Sequence, residues 1–193
     1  MVSVGERVKE AIDWMTQGHI AQALASLRIA LDVTSQRDAG AKGSEPEILK
    51  RFIRENRWLI THVGFPGVAA GSIRVPFTHP DVKTDAAGTV GVEEIIDHVI
   101  RCARTPSDAK NSKIVWNKAI ALGRDPEGHL VLNEGLFWGL VSAVVFAPVN
   151  RSESIPDPYW LQVGPFRMFV SELWGRVDLA RRIVRFHTGV EVS

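Results

Sequence analysis

One segment constrains the fold more than any other, because its apolar residues run almost all the way round a helix. It extends from Leu136 to Ala147. Asn133 is a good helix cap and Pro148 ends a helix, so the pattern predicts a helix from Glu134 to Ala147. The segment is well short of the roughly 20 apolar residues that a membrane span needs. A short helix without a polar face is typical of the centre of a helical protein, and we expect the other helices to pack around it.

Amphipathic segments supply the surrounding helices. In residues 4–31 the apolar positions repeat at helical spacing, and their phase shifts at Thr16–Gly18, which indicates two helices in a hairpin. Ser44 begins a third helix, with Pro46 in its first turn and Glu47 completing a capping box. This helix is expected to run to about His62, a fourth from Thr89 to Arg104, and a last one from Ser171 or Trp174 to near His187.

Extended segments flank the central helix. Lys113–Leu122 and His129–Leu132 are predicted to be strands joined by the turn Arg124–Gly128, which makes a β-hairpin. Asn150–Pro165 is rich in proline and is expected to be an irregular connection, followed by an edge strand at Phe166–Val170. The predicted fold class is mainly α, a bundle of about five or six helices with one β-hairpin. We expect a single domain over residues 1–193, with a C-terminal extension from about residue 150.

Composition excludes several functional classes. The formal net charge is +1, with 23% charged and 45% hydrophobic residues, so the chain lacks the overall basic charge typical of a nucleic-acid-binding domain. Cys102 is the single cysteine, which excludes an intrachain disulfide and a cysteine-based zinc site and fits a reducing compartment. The first residues lack the apolar core of a signal peptide. We therefore predict a soluble, cytoplasmic protein with no membrane contact, no metal site and no cofactor.

Two segments carry a likeness to a known family. They are Gly18–Asp32, in the predicted hairpin, and Gly91–Pro106, an amphipathic helix with Arg101 near its end. Together with the order of elements over residues 5–147, they resemble the HEPN superfamily of small helical proteins. The resemblance implies a helical bundle, a role in prokaryotic defence or toxin–antitoxin biology, and a homodimer built around the helix that carries Arg101.

Active HEPN proteins resemble one another in an Arg-x4-6-His motif and cut RNA without a metal. Arg101 matches the arginine, but the first position allowed for the histidine holds Pro106, which cannot act as an acid or a base. Ser107 and Asp108 follow, so the longer spacings contain no histidine either. The resemblance therefore implies a degenerate, non-catalytic relative that acts by binding a nucleotide, RNA or a protein.

A substitute base is present on the same predicted helix. His98 and Glu94 precede Arg101 at helical spacing, which brings a carboxylate, an imidazole and a guanidinium to one face. These groups are sufficient for acid–base work and for stabilising phosphate charge, so an alternative function is a metal-independent ribonuclease that uses Arg101 and His98, with Glu94. The simpler interpretation is an ion pair between Arg101 and Asp97 on a solvated helix face.

The densest basic stretch lies in the third predicted helix. Lys50, Arg54 and Arg57 follow one face, which makes this face a candidate site for the phosphate backbone of RNA. The competing interpretation is an ordinary solvated face in a chain with 22 acidic residues. A third function stays open at this stage, an immunity protein or another interaction module whose partner is a protein.

Overall fold

Helices dominate the structure, a computed structural model that describes residues 3–40, 43–66, 74–77, 82, 84–103, 114–117, 123–125, 127 and 129–189. Seven α-helices lie in the described residues, and none of them is long and apolar enough to cross a membrane. Short 3-10 turns at Pro148–Asn150 and Val170–Glu172 follow the sixth helix and precede the seventh. The predicted mainly α class is confirmed. The helices are α1 (Val4–Thr16), α2 (Ile20–Ala39), α3 (Glu45–Glu55), α4 (Arg57–Gly64), α5 (Val92–Cys102), α6 (Glu134–Phe146) and α7 (Val177–Thr188).

Short strands form small sheets within the described part of the chain. The first sheet pairs β1 with β2, the second has β5 between β3 and β4, and the third pairs β6 with β7. All pairs are antiparallel except β3 and β5, which run parallel. The strands are β1 (Arg74–Pro76), β2 (Thr89–Gly91), β3 (Ile114–Asn117), β4 (Gly123–Arg124), β5 (Leu130–Asn133), β6 (Trp160–Val163) and β7 (Phe166–Phe169).

The central helix α6 has the cap and the burial that its sequence predicts. Asn133 Oδ1 accepts a hydrogen bond from the Leu136 N–H at 3.2 Å, and Pro148 stands just beyond the end of the helix. Every residue from Gly139 to Phe146 is buried. Helices α2 and α4 pack directly against α6, and α1 packs against α2 as the predicted hairpin. The core therefore sits around α6.

Backbone contact joins α4 to α6. Gly139 faces the carbonyl oxygen of Ile60, and Gly135 faces that of Gly64, so closely that a Cβ at either α6 glycine would overlap the opposite oxygen. The side chain of Asn133 adds a hydrogen bond to the Gly64 carbonyl at 2.8 Å. Because Gly135 and Gly139 are about one helical turn apart, they lie on the same face and let the two helices approach this closely.

A polar network closes the bundle at the start of α1. The Glu153 carboxylate accepts hydrogen bonds from the Gly5 N–H at 2.9 Å and the Ser3 hydroxyl at 3.0 Å, and it pairs with Arg37 at 2.7 Å. Burial raises the pKa of Glu153, but these donors outweigh it and hold the pKa below its usual value. Arg37 also donates to the fully buried Asn150 side chain at 3.0 Å. The chain after residue 150 is thereby tied to the first two helices.

The predicted β-hairpin lies before α6, but the pairing predicted for its first strand is wrong. Strands β4 and β5 form the antiparallel pair, whereas β3, which falls in the predicted strand Lys113–Leu122, runs parallel to β5. The other residues of that predicted strand lie outside the described residues. Strand β5 is buried through Leu130 and Leu132, and a buried strand needs hydrogen-bond partners on both edges.

The helix predicted from Ser44 to about His62 is broken at Asn56. The Asn56 side chain donates a hydrogen bond to the Phe52 carbonyl at 2.9 Å, and its own N–H donates to the same oxygen at 3.1 Å. Asparagine competes in this way with the helical backbone, so α3 ends at Glu55 and α4 begins at Arg57. The fourth predicted helix also starts later than expected, at Val92, because the residues before it form β2.

The segment after residue 150 is more regular than predicted. Asn150–Pro165, expected to be an irregular connection, contains β6, in which Leu161 and Val163 are buried at alternate positions. The predicted edge strand is present as β7, paired with β6. The last helix begins at Val177, after a 3-10 turn, and Gly189 ends it with a left-handed backbone as its sequence indicates.

Candidate functional site

The residues predicted to be catalytic lie on α5 in different environments. His98 is 2% exposed, and its ring packs on Phe77 with the ring centroids 5.5 Å apart. Arg101 makes the ion pair with Asp97 that its spacing predicts, with 3.0 Å between Nε and Oδ2. Glu94 is partly buried. His98 therefore faces the interior while Arg101 is paired near the surface, and a catalytic role for Glu94, His98 and Arg101 stays a prediction.

The Cys102 thiol lies beside His98 without a favourable hydrogen-bond geometry. Its Sγ is 3.7 Å from His98 Nε2 and 3.9 Å from Nδ1. A sulfur almost equidistant from both ring nitrogens is off the axis on which either nitrogen accepts a proton. The contact is therefore one of packing. Pro106, Ser107 and Asp108, which stand where an HEPN histidine would follow Arg101, lie outside the described residues.

The face predicted to bind phosphate meets an acidic partner. Arg57 pairs with Glu93 of α5 at 2.7 Å, and Arg54 Nε is 3.8 Å from the same carboxylate. Lys50 is partly buried on α3, and the break at Asn56 puts Arg57 on the next helix. The three basic side chains thus lie on two successive helices, and Glu93 offsets part of the charge of Arg54 and Arg57. Binding of nucleic acid by Lys50, Arg54 and Arg57 stays a prediction.

A cavity of about 380 Å³ opens where α4, α6 and the β6–β7 hairpin meet. Trp138 and Trp160 give it aromatic surface, Arg167 gives it a positive charge, and Gly135 lines it at the start of α6. Concave sites of about 300–1,000 Å³ with apolar walls and a few polar groups are the usual size for small-molecule binding. The cavity is therefore the strongest candidate for a ligand site in the described residues. Val63, Pro66, Gln162 and Gly164 complete its lining.

The β6–β7 hairpin fixes the aromatic and charged wall of this cavity. Trp160 stacks on Phe169, with 3.6 Å between the ring centroids and 29° between the planes. The guanidinium carbon of Arg167 lies 4.9 Å from the centre of the Trp160 ring. Such a cation–π contact contributes about 0.5–1 kcal/mol at an exposed site, enough to favour one side-chain position. An indole with a guanidinium over its ring combines aromatic surface and positive charge in this wall, which suits a ligand with a flat ring and an anionic group.

Two histidines meet beside the cavity. His62 Nε2 on α4 lies 3.4 Å from His187 Nδ1 on α7, and the rings are nearly perpendicular, with 81° between their planes and 5.1 Å between their centroids. A Cβ at Gly164, which lines the cavity, would lie 3.2 Å from the His187 nitrogen and 3.3 Å from that of His62. Burial, followed by the nearby His187, lowers the pKa of His62.

A second group with metal-binding side chains lies in the turn between β4 and β5. Oxygen or nitrogen atoms of Asp125, Glu127 and His129 all lie within 4.8 Å of one another. Asp125 accepts a hydrogen bond from the His129 N–H at 2.7 Å, and its other oxygen is 2.8 Å from His129 Nδ1. Aspartate commonly closes a turn through such bonds, so the cluster has a structural explanation without an ion.

The comparison with known proteins identifies a family. The family model described as Rv1289 matches residues 3–193. The chain belongs to the Rv1289 family. It is 25% identical over 192 residues to the uncharacterized proteins Rv1289 of Mycobacterium tuberculosis and Mb1320 of Mycobacterium bovis, a match that covers 95% of this chain and 88% of each relative. No solved structure matches it. Because the match continues past residue 150, β6, β7 and α7 belong to the family region as much as the helical bundle does.

The sequence contains little signal for the cavity or for the histidine pair. His62 and His187 are 125 positions apart and fit no motif. Trp138 lies in the apolar helix expected at the centre of the protein, and it is partly buried there and lines the cavity. The alternation of Trp160, Leu161, Gln162 and Val163 is a strand signal, and it is the one pattern from which this wall of the cavity could have been predicted.

Proposed function

We propose that this protein is a non-catalytic, HEPN-like protein that binds a nucleotide or a short stretch of single-stranded RNA in the cavity beside the β6–β7 hairpin. The observation that carries the proposal is the pairing of Trp160 with Arg167 at a cavity of about 380 Å³. Stacking of a base on an aromatic side chain contributes about 1–3 kcal/mol, and arginine recognises phosphate through two parallel hydrogen bonds. The HEPN resemblance supports the RNA chemistry, and by the same resemblance we include a role in prokaryotic defence or toxin–antitoxin biology.

The environment of α5 favours binding over cleavage. A general base must come within hydrogen-bond reach of the 2′-hydroxyl whose proton it takes. His98 is 2% exposed and covered by Phe77, and Arg101 is engaged with Asp97. A ribonuclease that uses Arg101 and His98 would have to expose this imidazole first. We therefore rank that function below binding.

The deciding experiment measures binding of fluorescently labelled oligoadenylate and oligouridylate, with AMP and UMP as competitors. Trp160→Ala should weaken binding about 5- to 150-fold, which is the loss of one base stack. Arg167→Ala should weaken it and reduce the slope of log affinity against log salt by about 0.7, the value for one phosphate contact on a single strand. Trp14→Ala, at a tryptophan 37% exposed on α1, is the matched control and should leave binding unchanged.

Two outcomes would reject the proposed site. Equal binding by wild type, Trp160→Ala and Arg167→Ala would exclude the cavity. Loss of binding in Arg57→Ala with both cavity variants intact would move the site to the basic face of α3 and α4. The non-catalytic part has a separate test, RNA cleavage by the purified protein without metal. If the wild type cleaves RNA and the folded Arg101→Ala variant does not, the ribonuclease alternative would replace the non-catalytic function.

The partner is a further part of the proposal. The HEPN resemblance implies a homodimer in which α5 of one protomer lies against its copy. Sedimentation equilibrium should then give twice the chain mass at micromolar protein, and a monomer under these conditions would remove the dimer from the proposal. A stable heterologous protein partner, with no nucleotide bound, would instead favour an immunity or interaction module.

A further inference from the structure

We propose that His62 and His187 form a binding site for a divalent transition-metal ion such as Zn²⁺, with His62 Nε2 and His187 Nδ1 as its protein ligands. The proposal goes beyond nucleotide binding and does not depend on it. The site joins α4 to α7 at the edge of the cavity. The two nitrogens face each other at 3.4 Å from elements 125 positions apart in the chain.

The two distances between the rings agree with a shared metal ion. Two imidazoles on one tetrahedral Zn²⁺, with bonds of about 2.0–2.1 Å, have their nitrogens about 3.3–3.4 Å apart and their ring centres about 5.2 Å apart. In this protein the nitrogens of His62 and His187 are 3.4 Å apart and the ring centroids 5.1 Å apart. Two rings that meet nearly at right angles, as these do, also avoid a clash around a small ion.

A direct hydrogen bond between the rings explains the geometry less well. Good N–H hydrogen bonds have a donor–acceptor distance of about 2.9–3.0 Å, and the observed 3.4 Å between His62 and His187 is longer than that. A linear bond at this nitrogen separation would also put the ring centres about 5.7 Å apart rather than at the observed 5.1 Å. The ring centres are therefore closer together than a linear hydrogen bond between the two nitrogens allows.

The fold holds both histidines in place, and a glycine lies against them. Helix α4 is fixed by its backbone contact with α6, and α7 is anchored by the buried side chains of Ile183 and Val184. Gly164 fills the hairpin turn with a left-handed backbone, and its missing Cβ would stand 3.2–3.3 Å from both nitrogens. A larger residue there would occupy the space that a ligand of the ion needs.

The chemistry of the donors selects the ion. Neutral imidazole nitrogens bind Zn²⁺, Cu²⁺ and Ni²⁺ well, whereas Ca²⁺ and Mg²⁺ prefer oxygen ligands. Two protein ligands leave two positions of a tetrahedral Zn²⁺ for water or for an anion. Gly164 borders both the histidine pair and the cavity, so the proposed ion lies next to the cavity.

The test uses the full, untagged chain and titrates it with Zn²⁺ by calorimetry. We expect one ion to bind per chain at micromolar concentration. His187→Ala should reduce the affinity more than about 100-fold, since loss of an outer-shell partner reduces it only about 10- to 100-fold. His187 is exposed, so this variant should fold like the wild type. His62→Gln should show the same loss, with circular dichroism to confirm folding. His19→Ala, at an exposed histidine on the loop before α2, is the matched control.

A second measurement identifies the ligating atoms. In long-range ¹H–¹⁵N spectra, Zn²⁺ should shift His62 Nε2 and His187 Nδ1 and leave their other ring nitrogens in place. Unchanged affinity in His187→Ala would overturn the proposal, as would shifts on the opposite nitrogens. Loss of binding in His129→Ala with His187→Ala intact would also overturn it, because the ion would then occupy the turn of Asp125, Glu127 and His129.

Discussion

The backbone contact between α4 and α6 predicts that Gly139→Ala destabilises the protein. The helix propensities of glycine and alanine alone predict the opposite. In an open helix, alanine in place of glycine stabilises by about 1 kcal/mol. Here the new Cβ would overlap the carbonyl oxygen of Ile60 and approach its carbonyl carbon to 3.1 Å. A backbone carbonyl cannot turn away as a side chain does, so α4 and α6 must separate.

The magnitude follows from the two opposing effects. Overpacking a core by one methyl group costs about 1–3 kcal/mol, and a clash with rigid backbone belongs at the upper end of that range. After subtraction of the gain in helix propensity, we expect a net loss of about 1–2 kcal/mol in the free energy of unfolding. For a chain of this size the loss corresponds to a fall in Tm of about 2–8 °C.

The assay is urea unfolding followed by tryptophan fluorescence and circular dichroism, with thermal unfolding as a second readout. Gly123→Ala is the matched control, since a Cβ at Gly123 would meet no atom within 4 Å. We expect this variant to stay within about 0.5 kcal/mol of the wild type. A Gly139→Ala protein more stable than the wild type by about 1 kcal/mol would refute direct contact between the two backbones.

Three further predictions concern single polar side chains. Asn150→Ala should lower the free energy of unfolding, measured by urea unfolding, by about 2–4 kcal/mol. The fully buried amide makes three hydrogen bonds at about 1 kcal/mol or more each. A loss below about 0.5 kcal/mol would contradict the network. Asn133→Ala should cost about 2 kcal/mol in the same assay, through loss of the α6 cap and of the bond to Gly64, and a neutral result would count against that cap. Hydrogen bonds from Thr89, with Arg74 nearby, lower the pKa of Asp85 to about 2. The contribution of Asp85 to stability is therefore present above the ordinary carboxyl pKa and is lost as the pH falls toward 2. A carboxyl ¹³C titration that gives Asp85 a pKa of about 4 would reject these bonds.

Local signals in the sequence predicted the helical part of the fold well. Asn133 and Pro148 bound α6 because capping and helix termination act within a few residues. The α1–α2 hairpin was predictable because its phase shift lies in one short stretch. Asn56 was harder to interpret. An asparagine inside a helical pattern ends the helix only when its side-chain amide takes the place of the next backbone N–H as the donor to the helical carbonyl.

The strands and the cavity depend on contacts between distant residues, and this is why the sequence predicted them less well. Chain order favours a hairpin partner for β5, whereas β3 pairs with its other edge in parallel orientation. On α5, spacing correctly predicted the ion pair of Arg101 with Asp97. Spacing says nothing about the burial of His98, because Phe77 comes from another segment.

The network at the start of α1 has a consequence for synthesis on the ribosome. Ser3 can form its hydrogen bond only after Glu153, 150 positions later, has been synthesised. Asp13 can form its hydrogen bond only after Tyr159, 146 positions later, has been synthesised. The α1–α2 hairpin is made of local contacts and can form as soon as it emerges, but Arg37 then has no Glu153 carboxylate to pair with. Nascent chains that stop short of residue 150 therefore lack this closure, and they should be substrates for chaperones and proteases even though most of the helices have already been made.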